Sequence, residues 1–308
     1  MNLLSIAGFT NVGYRLHARN HDEIDADLTG RTVVITGGRG GLGRAAATRI
    51  AALGARTVVV GRDPEKLDAI SRETAGGVVG YEADLSSMSE IRDLAKRLLD
   101  AEGRLHVLVN NVGVLLPERT ETKEGLEKTL AVDLAGQFLL TNLLIPRLVE
   151  SAPSRIINVT SGGMYSERLR PDDLHFAQGR YTGTAAYARA KRGQVVLTGM
   201  WADRLKGTGV SVHAMHPGWA KTAGVSESLP TFNRLMKPLL RTPDEGADTI
   251  VWLAASPDPG GTSGFLWFDR ERVDEHLFDR TRETAEERDQ FWAALVDLTD
   301  SELPERFG

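Results

Sequence analysis

The chain predicts an α/β fold: a doubly wound parallel sheet of about seven strands with helices on both faces, in a single domain. Two observations carry that prediction. Short β-branched apolar runs recur along the 308 residues, separated by amphipathic helical stretches. Continuous rather than alternating hydrophobicity marks strands buried on both faces and joined by crossover helices. The first run also empties straight into a glycine-rich turn that opens a helix, an order seldom met outside such sheets.

The elements follow in sequence. Thr32-Val33-Val34-Ile35-Thr36 is the first strand, Gly37-Gly38-Arg39-Gly40-Gly41-Leu42-Gly43 the turn, and Arg44 to Leu53 a helix closed by Gly54. A second strand, Thr57-Val58-Val59-Val60, ends in Gly61-Arg62-Asp63, with Asp63 placed to cap the helix that Pro64 opens. Val78 to Glu82 is a third strand, followed by Ala83-Asp84-Leu85 and a helix through Ile91, Leu94, Ala95 and Leu98 at 3.6-residue spacing. Leu105 to Val109 leads to Asn110-Asn111-Val112-Gly113, and a long helical stretch runs from about Lys123 to Leu148. Arg155 to Thr160 delivers Ser161 at its carboxyl end, the helix around Tyr187 continues to Leu205, and Val210 to Met215 ends in His216-Pro217-Gly218-Trp219. Thr242 caps a helix beginning at Pro243, and Gly264 to Phe268 is the seventh strand. The charged run Asp269-Arg270-Glu271-Arg272 reads as solvated, and Phe291, Trp292, Leu295 and Leu298 stripe a last helix from about Glu283.

Composition excludes several classes. A net charge of -5 with the signs interspersed offers no basic stripe for nucleic acid. Zero cysteines remove disulfides, thiolate catalysis and Cys-ligated metals. His213 and His216, three apart on a strand, face opposite sides and make a poor metal pair, so no metal is expected. No apolar run reaches the roughly 20 residues that cross a bilayer, which leaves the cytoplasm as the expected location.

The residues with chemistry to offer fall at strand ends. Glycines at positions 37 to 43 let backbone N–H groups approach a pyrophosphate, with the positive end of the following helix facing the anion; the bland alternative is a merely tight turn. The second strand ends in Gly61 and Arg62 rather than an acidic residue, so a ribose 2′-phosphate meets a cation instead of a repelling carboxylate, and NADP(H) is the expected cofactor. Arg39 is either a second cation there or a solvated turn residue. Tyr187 and Lys191, four apart, share one helix face, where the ammonium favours the phenolate. By itself that spacing is more often a solvated surface pair.

Taken together, Thr36-Gly37-x-x-x-Gly41-x-Gly43, Asp84-Leu85, Asn110-Asn111-Val112-Gly113, Ser161, Tyr187-x-x-x-Lys191 and Pro217-Gly218 resemble the short-chain dehydrogenase/reductase family in order and spacing. Ser161-Gly162-Gly163-Met164-Tyr165, Asp172-Asp173-Leu174 and Met215-His216-Pro217-Gly218-Trp219 are similar to its member-12 and retinol-dehydrogenase-like subgroup. The resemblance implies a Rossmann-type domain that transfers hydride between NADP(H) and a carbonyl/alcohol pair. It implies that Tyr187 exchanges a proton with the substrate oxygen, that Ser161 hydrogen-bonds that oxygen, and that Lys191 depresses the Tyr187 pKa and binds the nicotinamide ribose. Gly37, Arg39, Gly41, Leu42, Gly43, Arg62, Asp84, Leu85, Asn110, Pro217, Gly218 and Thr222 would hold the cofactor, Asp84 at the adenine, Asn110 near the ribose, and Pro217, Gly218 and Thr222 at the nicotinamide end.

One position departs from the family pattern, where Val132-Asp133-Leu134-Ala135-Gly136 has Asp133 in place of Asn. The family Asn offers its backbone carbonyl to a water that meets the lysine. Asp133 either preserves that relay or, as a buried carboxylate, competes for the charge of Lys191. Met164, Tyr165, Leu169, Phe176, Trp219 and Phe232 either line a pocket for an apolar substrate portion or pack their own segment, and residues 220–236 read as a lid. Residues 1–29 form an N-terminal arm, 30–269 the catalytic domain, and 270–308 a helical extension. The arm mixes Leu3, Leu4, Ile6, Phe9 and Val12 with Arg15 and Arg19, and packs on the domain or a partner subunit in preference to a membrane surface. Relatives implied by the resemblance are homo-oligomers. A catalytically silent NADPH-binding sensor or scaffold is the alternative function.

Overall fold

The structure, a computed structural model, describes residues 7–303 except 75, 222–233 and 235. Strands β1 (Thr32–Thr36), β2 (Arg56–Gly61), β3 (Val78–Glu82), β4 (Val107–Asn110), β5 (Ser154–Val159), β6 (Val210–Met215), β7 (Phe265–Phe268) and β8 (Glu271–Val273) form a single sheet in the order β3-β2-β1-β4-β5-β6-β7-β8. Neighbours are parallel up to β7, and only β8 runs antiparallel. The order turns about β1 and β4, and a ligand crevice opens outside the carboxyl ends of the strands at such a reversal.

Alternate residues of each strand serve the two faces. Val34, Val58 and Val60 join a core covered by α4 (Met88–Ala101), α5 (Lys128–Glu150), α6 (Gly183–Arg204) and α8 (Ala285–Thr299). Val33, Ile35 and Val59 face α2 (Gly41–Ala52), α3 (Pro64–Glu73) and α7 (Pro243–Ala255), and the short α1 (Asn11–His17) precedes β1. Helix starts follow the residues expected of them: Asp63 caps α3, and Thr242 closes a reciprocal capping box with Glu245 on α7.

The long helical stretch begins at Lys128 rather than Lys123, because Glu121 and Glu127 bridge in an extended turn and the Glu127 carboxylate caps the helix through Thr129 and Leu130. Helix α5 is long and apolar enough to cross a membrane by length and composition, at a mean hydropathy of 1.3, yet 89% of that window is buried inside the fold, as befits a central core helix. Its Phe138 stacks on Trp201 of α6 at 5.8 Å and meets Trp292 of α8 edge-on at 4.9 Å, which docks the C-terminal extension.

The run 269–272 is not simply solvated. The chain reverses between β7 and β8 through Asp269 and Arg270, both left-handed at φ 49° and 62°. Two non-glycine residues hold that turn because each is tied to a buried partner: Asp269 to Arg241 at 2.5 and 2.8 Å, and Arg270 to Asp248 at 2.8 Å twice. Glu271 and Arg272 are exposed as expected. Removing one member of the fully buried Arg241–Asp269 pair would strand the other charge, at about 3–5 kcal/mol.

Truncating the fully buried Phe138 removes the ring common to α5, α6 and α8. Phe138→Ala is expected to cost about 3–5 kcal/mol in urea unfolding, and a loss below about 1 kcal/mol would show that this contact does not hold the extension.

Candidate active site

The glycine turn has the shape its composition requires. Gly37 sits at φ 72°, and a side chain there would meet Asn111 Nδ2 at 3.0 Å and Val112 Cα at 3.1 Å. At Gly43 a Cβ would lie 2.6 Å from Gly37 O, so the first turn of α2 is pressed against the loop. No acidic residue occupies that first turn. Backbone N–H groups and the positive helix end thus face a cradle without an acidic side chain, which fits a pyrophosphate. Leu42 packs into the core beneath, and Leu85 is buried likewise. Thr36 Oγ1 accepts from the N–H groups of Asn111 and Val112, joining the ends of β1 and β4.

Two cations flank the end of β2. A side chain at Gly61 would sit 3.5 Å from Arg39 Cδ, so Arg39 lies along that strand end, 3.8 Å from Asp63. Arg62 faces Asp84 at 3.8 Å. Burial works to raise the Asp84 pKa, but hydrogen bonds from Ser86 and the charges of Arg62 and Lys128 outweigh it and hold the carboxyl below its usual range.

Ser161 leaves β5 as the cap of a short 3-10 turn, Gly162–Ser166, and Tyr187 and Lys191 come from the first turns of α6, which Thr182 caps. The three are brought together. Lys191 is 2% exposed; its ammonium donates to Val159 O at 3.0 Å and lies 5.4 Å from the Tyr187 ring centre. Asp133 sits on a π-helical turn of α5, Ala131–Ala135, with no solvent exposure. Its Oδ1 accepts from Val114 N–H at 2.7 Å, and its Oδ2, otherwise unpartnered, lies 3.8 Å from Lys191 Nζ. A Cβ at Gly113 would fall 3.0 Å from Lys191 Nζ and 3.2 Å from Asp133 Oδ2, so the turn after β4 closes over the pair. The Asp133 backbone carbonyl accepts from Gln194 at 3.0 Å, while its side chain lies against the lysine.

The electrostatics depart from the expected depression of Tyr187. Burial pushes the phenol well above its ordinary value, the Asp133 carboxylate adds to that, and only the Ser161 hydroxyl pulls it down. Burial lowers Lys191 while Asp133 opposes the drop. Burial raises Asp133 to about 7, against the pull of Lys191. The ammonium of Lys191 is directed at a carboxylate before any cofactor arrives.

Some expected residues are not brought to the cleft. Asn110 is fully buried, its amide donating to Thr141 and Asn158 at 2.9 Å each, so it braces β4 against α5 and β5 instead of facing a ribose. Asn111, which sequence reasoning passed over, turns its amide to Thr36 O at 2.8 Å under the glycine turn. Met164, Tyr165, Leu169 and Phe176 are all buried, Met164 and Tyr165 in a cluster with Phe9, Val195, Leu266 and Phe268. Leu169 and Phe176 border a cavity of about 20 Å³ behind α6. Thr222 and Phe232, and most of the expected lid, lie outside the described residues. Pro217 and Gly218 follow β6 beside His216, which burial holds near 3 and therefore neutral, stacked on Phe268 at 4.2 Å. Among the described residues no group of three or more metal-ligating side chains gathers.

A sheet of this order with Ser161, Tyr187 and Lys191 at the carboxyl end of β5 defines a nicotinamide-dependent oxidoreductase of the Rossmann class. The short chain dehydrogenase family matches residues 31–231, and the chain belongs to that family. It is 36% identical over 278 residues to dehydrogenase/reductase SDR family member 12 of Homo sapiens, covering 87% of this chain and 86% of that one. It is 33% identical to Homo sapiens retinol dehydrogenase 13 over 78% of this chain and 76% of the relative. Among solved structures, a Mycobacterium paratuberculosis protein superposes at a TM-score of 0.75 with 29% identity, covering 91% and 97% of the two chains. The RhlG/NADP active-site complex of Pseudomonas aeruginosa does so at 0.66 with 25% identity, covering 80% and 96%.

Because the folded-state pKa of Asp133 is raised, its contribution to stability is present below about pH 4 and is lost as pH rises through about 7. Relative to Asp133→Asn, the wild type is expected to lose stability across that window, at up to about 1.4 kcal/mol per pH unit. Denaturant unfolding at several pH values reads the difference; a flat difference would mean that Asp133 stays ionised throughout.

Proposed function

We propose that the protein is an NADP(H)-dependent oxidoreductase acting on a carbonyl/alcohol pair whose substrate has an apolar portion. The observation that carries this reading is the convergence of Ser161, Tyr187 and Lys191 beside the glycine cradle. The cofactor, when bound, supplies or accepts the hydride. The protein's part is orientation and proton handling. Ser161 Oγ and the Tyr187 hydroxyl grip one substrate oxygen, and in the reducing direction the phenol donates its proton to that oxygen as negative charge builds there.

A raised Tyr187 suits a proton donor that must stay protonated at neutral pH. The cost falls after transfer, when the phenolate needs a cation. Lys191, 5.4 Å from the Tyr187 ring centre and 3.8 Å from the Asp133 carboxyl, is the cation within reach of it. An oxidised nicotinamide, when bound, would add a second positive charge. Preference for NADP(H) is supported by Arg62 and Arg39 at the end of β2 with no acidic residue at Gly61. The apolar part of the substrate rests on Trp219 beside Gly218, which is half-buried where Tyr165 and Phe176 are buried.

One observation favours a second reading, a silent NADPH sensor: the carboxylate of Asp133 both engages Lys191 and raises Tyr187. Substrate turnover separates the two. Tyr187→Phe is expected to cut turnover by about 10²–10⁴-fold with little change in NADPH affinity by fluorescence titration; full retained activity would refute the catalytic assignment. Arg62→Ala is expected to weaken NADPH about tenfold, a loss near 1.4 kcal/mol, while NADH binding holds. Equal effects on both cofactors would remove the 2′-phosphate role.

A further inference from the structure

The N-terminal arm reaches the catalytic end. The Arg241 guanidinium, 1% exposed, donates through Nε to Thr10 O at 3.2 Å and through Nη2 to Gly8 O at 2.7 Å, while its remaining hydrogen bonds go to Asp269. Phe9 O, between those two carbonyls, accepts from Trp219 N–H at 2.8 Å, and Trp219 O accepts from Arg241 N–H at 2.7 Å. The arm, the Gly218–Trp219 turn and Arg241 therefore close a ring of backbone and guanidinium hydrogen bonds. Gly218 is caught inside it at φ 69°, where a Cβ would lie 2.6 Å from Arg241 Nε and 2.8 Å from Phe9 O. Any side chain at 218 breaks the ring.

The Phe9 ring is buried between the two turns. It packs against His216 at 5.2 Å, Trp219 at 5.8 Å and Phe268 at 5.4 Å between centroids. A Cβ at Gly162, the residue after Ser161, would meet Phe9 Cζ at 3.4 Å. One ring thus touches both the turn that carries Ser161 and the turn that follows Gly218.

We propose that Phe9, held by Arg241, is a positioning and specificity-determining residue: its buried ring spaces the Ser161–Gly162 turn from the Gly218–Trp219 turn and backs Trp219, the half-buried aromatic wall against which the apolar portion of a carbonyl substrate lies. The specificity half rests on the reading of the protein as a carbonyl oxidoreductase; the positioning half rests on the contacts alone. Flat aryl aldehydes and ketones fit such a wall better than short aliphatic ones, because their faces stack on rings and their area is buried. Arg241 acts at one remove, by fixing where the arm lies.

Two measurements on the full-length protein test the two halves separately. Amide hydrogen exchange without substrate should show Phe9→Ala, and Arg241→Lys, speeding exchange at Trp219 and at residues 162–164 by about tenfold or more while β1 to β4 are unchanged. Unchanged exchange at both turns, or a uniform rise across the sheet, would overturn the positioning role. In NADPH-dependent turnover, Phe9→Ala should raise KM for an aryl aldehyde such as benzaldehyde about tenfold and KM for propanal by less than about threefold. Phe9→Leu should recover part of the loss. Equal KM changes for the two aldehydes would overturn the specificity role, whereas a wild type that turns over no carbonyl compound refutes the proposed activity and with it that role, leaving the exchange result to decide the positioning.

Discussion

The catalytic end of this molecule is built around one buried charge pair. Lys191 and Asp133 face each other at 3.8 Å with almost no solvent, and the surrounding parts are shaped to keep them there. Glycine at 113 lets the turn after β4 pass close over them, the π-helical turn of α5 places the carboxylate beside the lysine, and Thr160 ties the end of β5 to the Lys191 carbonyl at 2.8 Å. A pair so buried is poor as a source of stability, since desolvation offsets most of the attraction. Its effect is electrostatic: the Asp133 carboxylate raises Tyr187 and opposes the fall that burial imposes on Lys191.

This view gives the departure at Asp133 a physical content. A carboxylate at 133, unlike an amide, brings a negative charge beside Lys191. Burial and Asp133 both push the Tyr187 phenol up. Tyr187, Lys191 and Asp133 thus form one electrostatic unit. The N-terminal arm adds a second layer, fixing through Arg241 and Phe9 the two turns that flank this unit.

Much of this was legible in the sequence because it is local or periodic. The β-branched runs from Val33 to Ile35 and Val58 to Val60, the glycines at 37 to 43, the caps at Asp63 and Thr242, and the four-residue step from Tyr187 to Lys191 each depend on neighbours in the chain. What escaped depends on long-range partners. Arg241 and Thr10 are 231 positions apart, and no spacing rule joins them. Asn110 reads as a strand-end polar residue, yet its direction was settled by Thr141 and Asn158 on other elements. Asp269 and Arg270 read as a solvated run because the partners that bury them, Arg241 and Asp248, lie elsewhere. The sign of the Tyr187 shift likewise needed the burial of the phenol and the position of the Asp133 carboxylate, which helix spacing does not contain.

The central claim is hydride transfer between NADPH and a carbonyl carbon at the site formed by Ser161, Tyr187 and Lys191. It is tested most directly by incubating the purified protein with NADPH carrying deuterium at the transferable position of the nicotinamide ring and a set of aryl and alkyl aldehydes and ketones, then examining the alcohols by mass spectrometry. The account predicts an alcohol with a single deuterium on its carbinol carbon from at least one aryl carbonyl. Tight NADPH binding with no deuterated alcohol from any member of the set would contradict it.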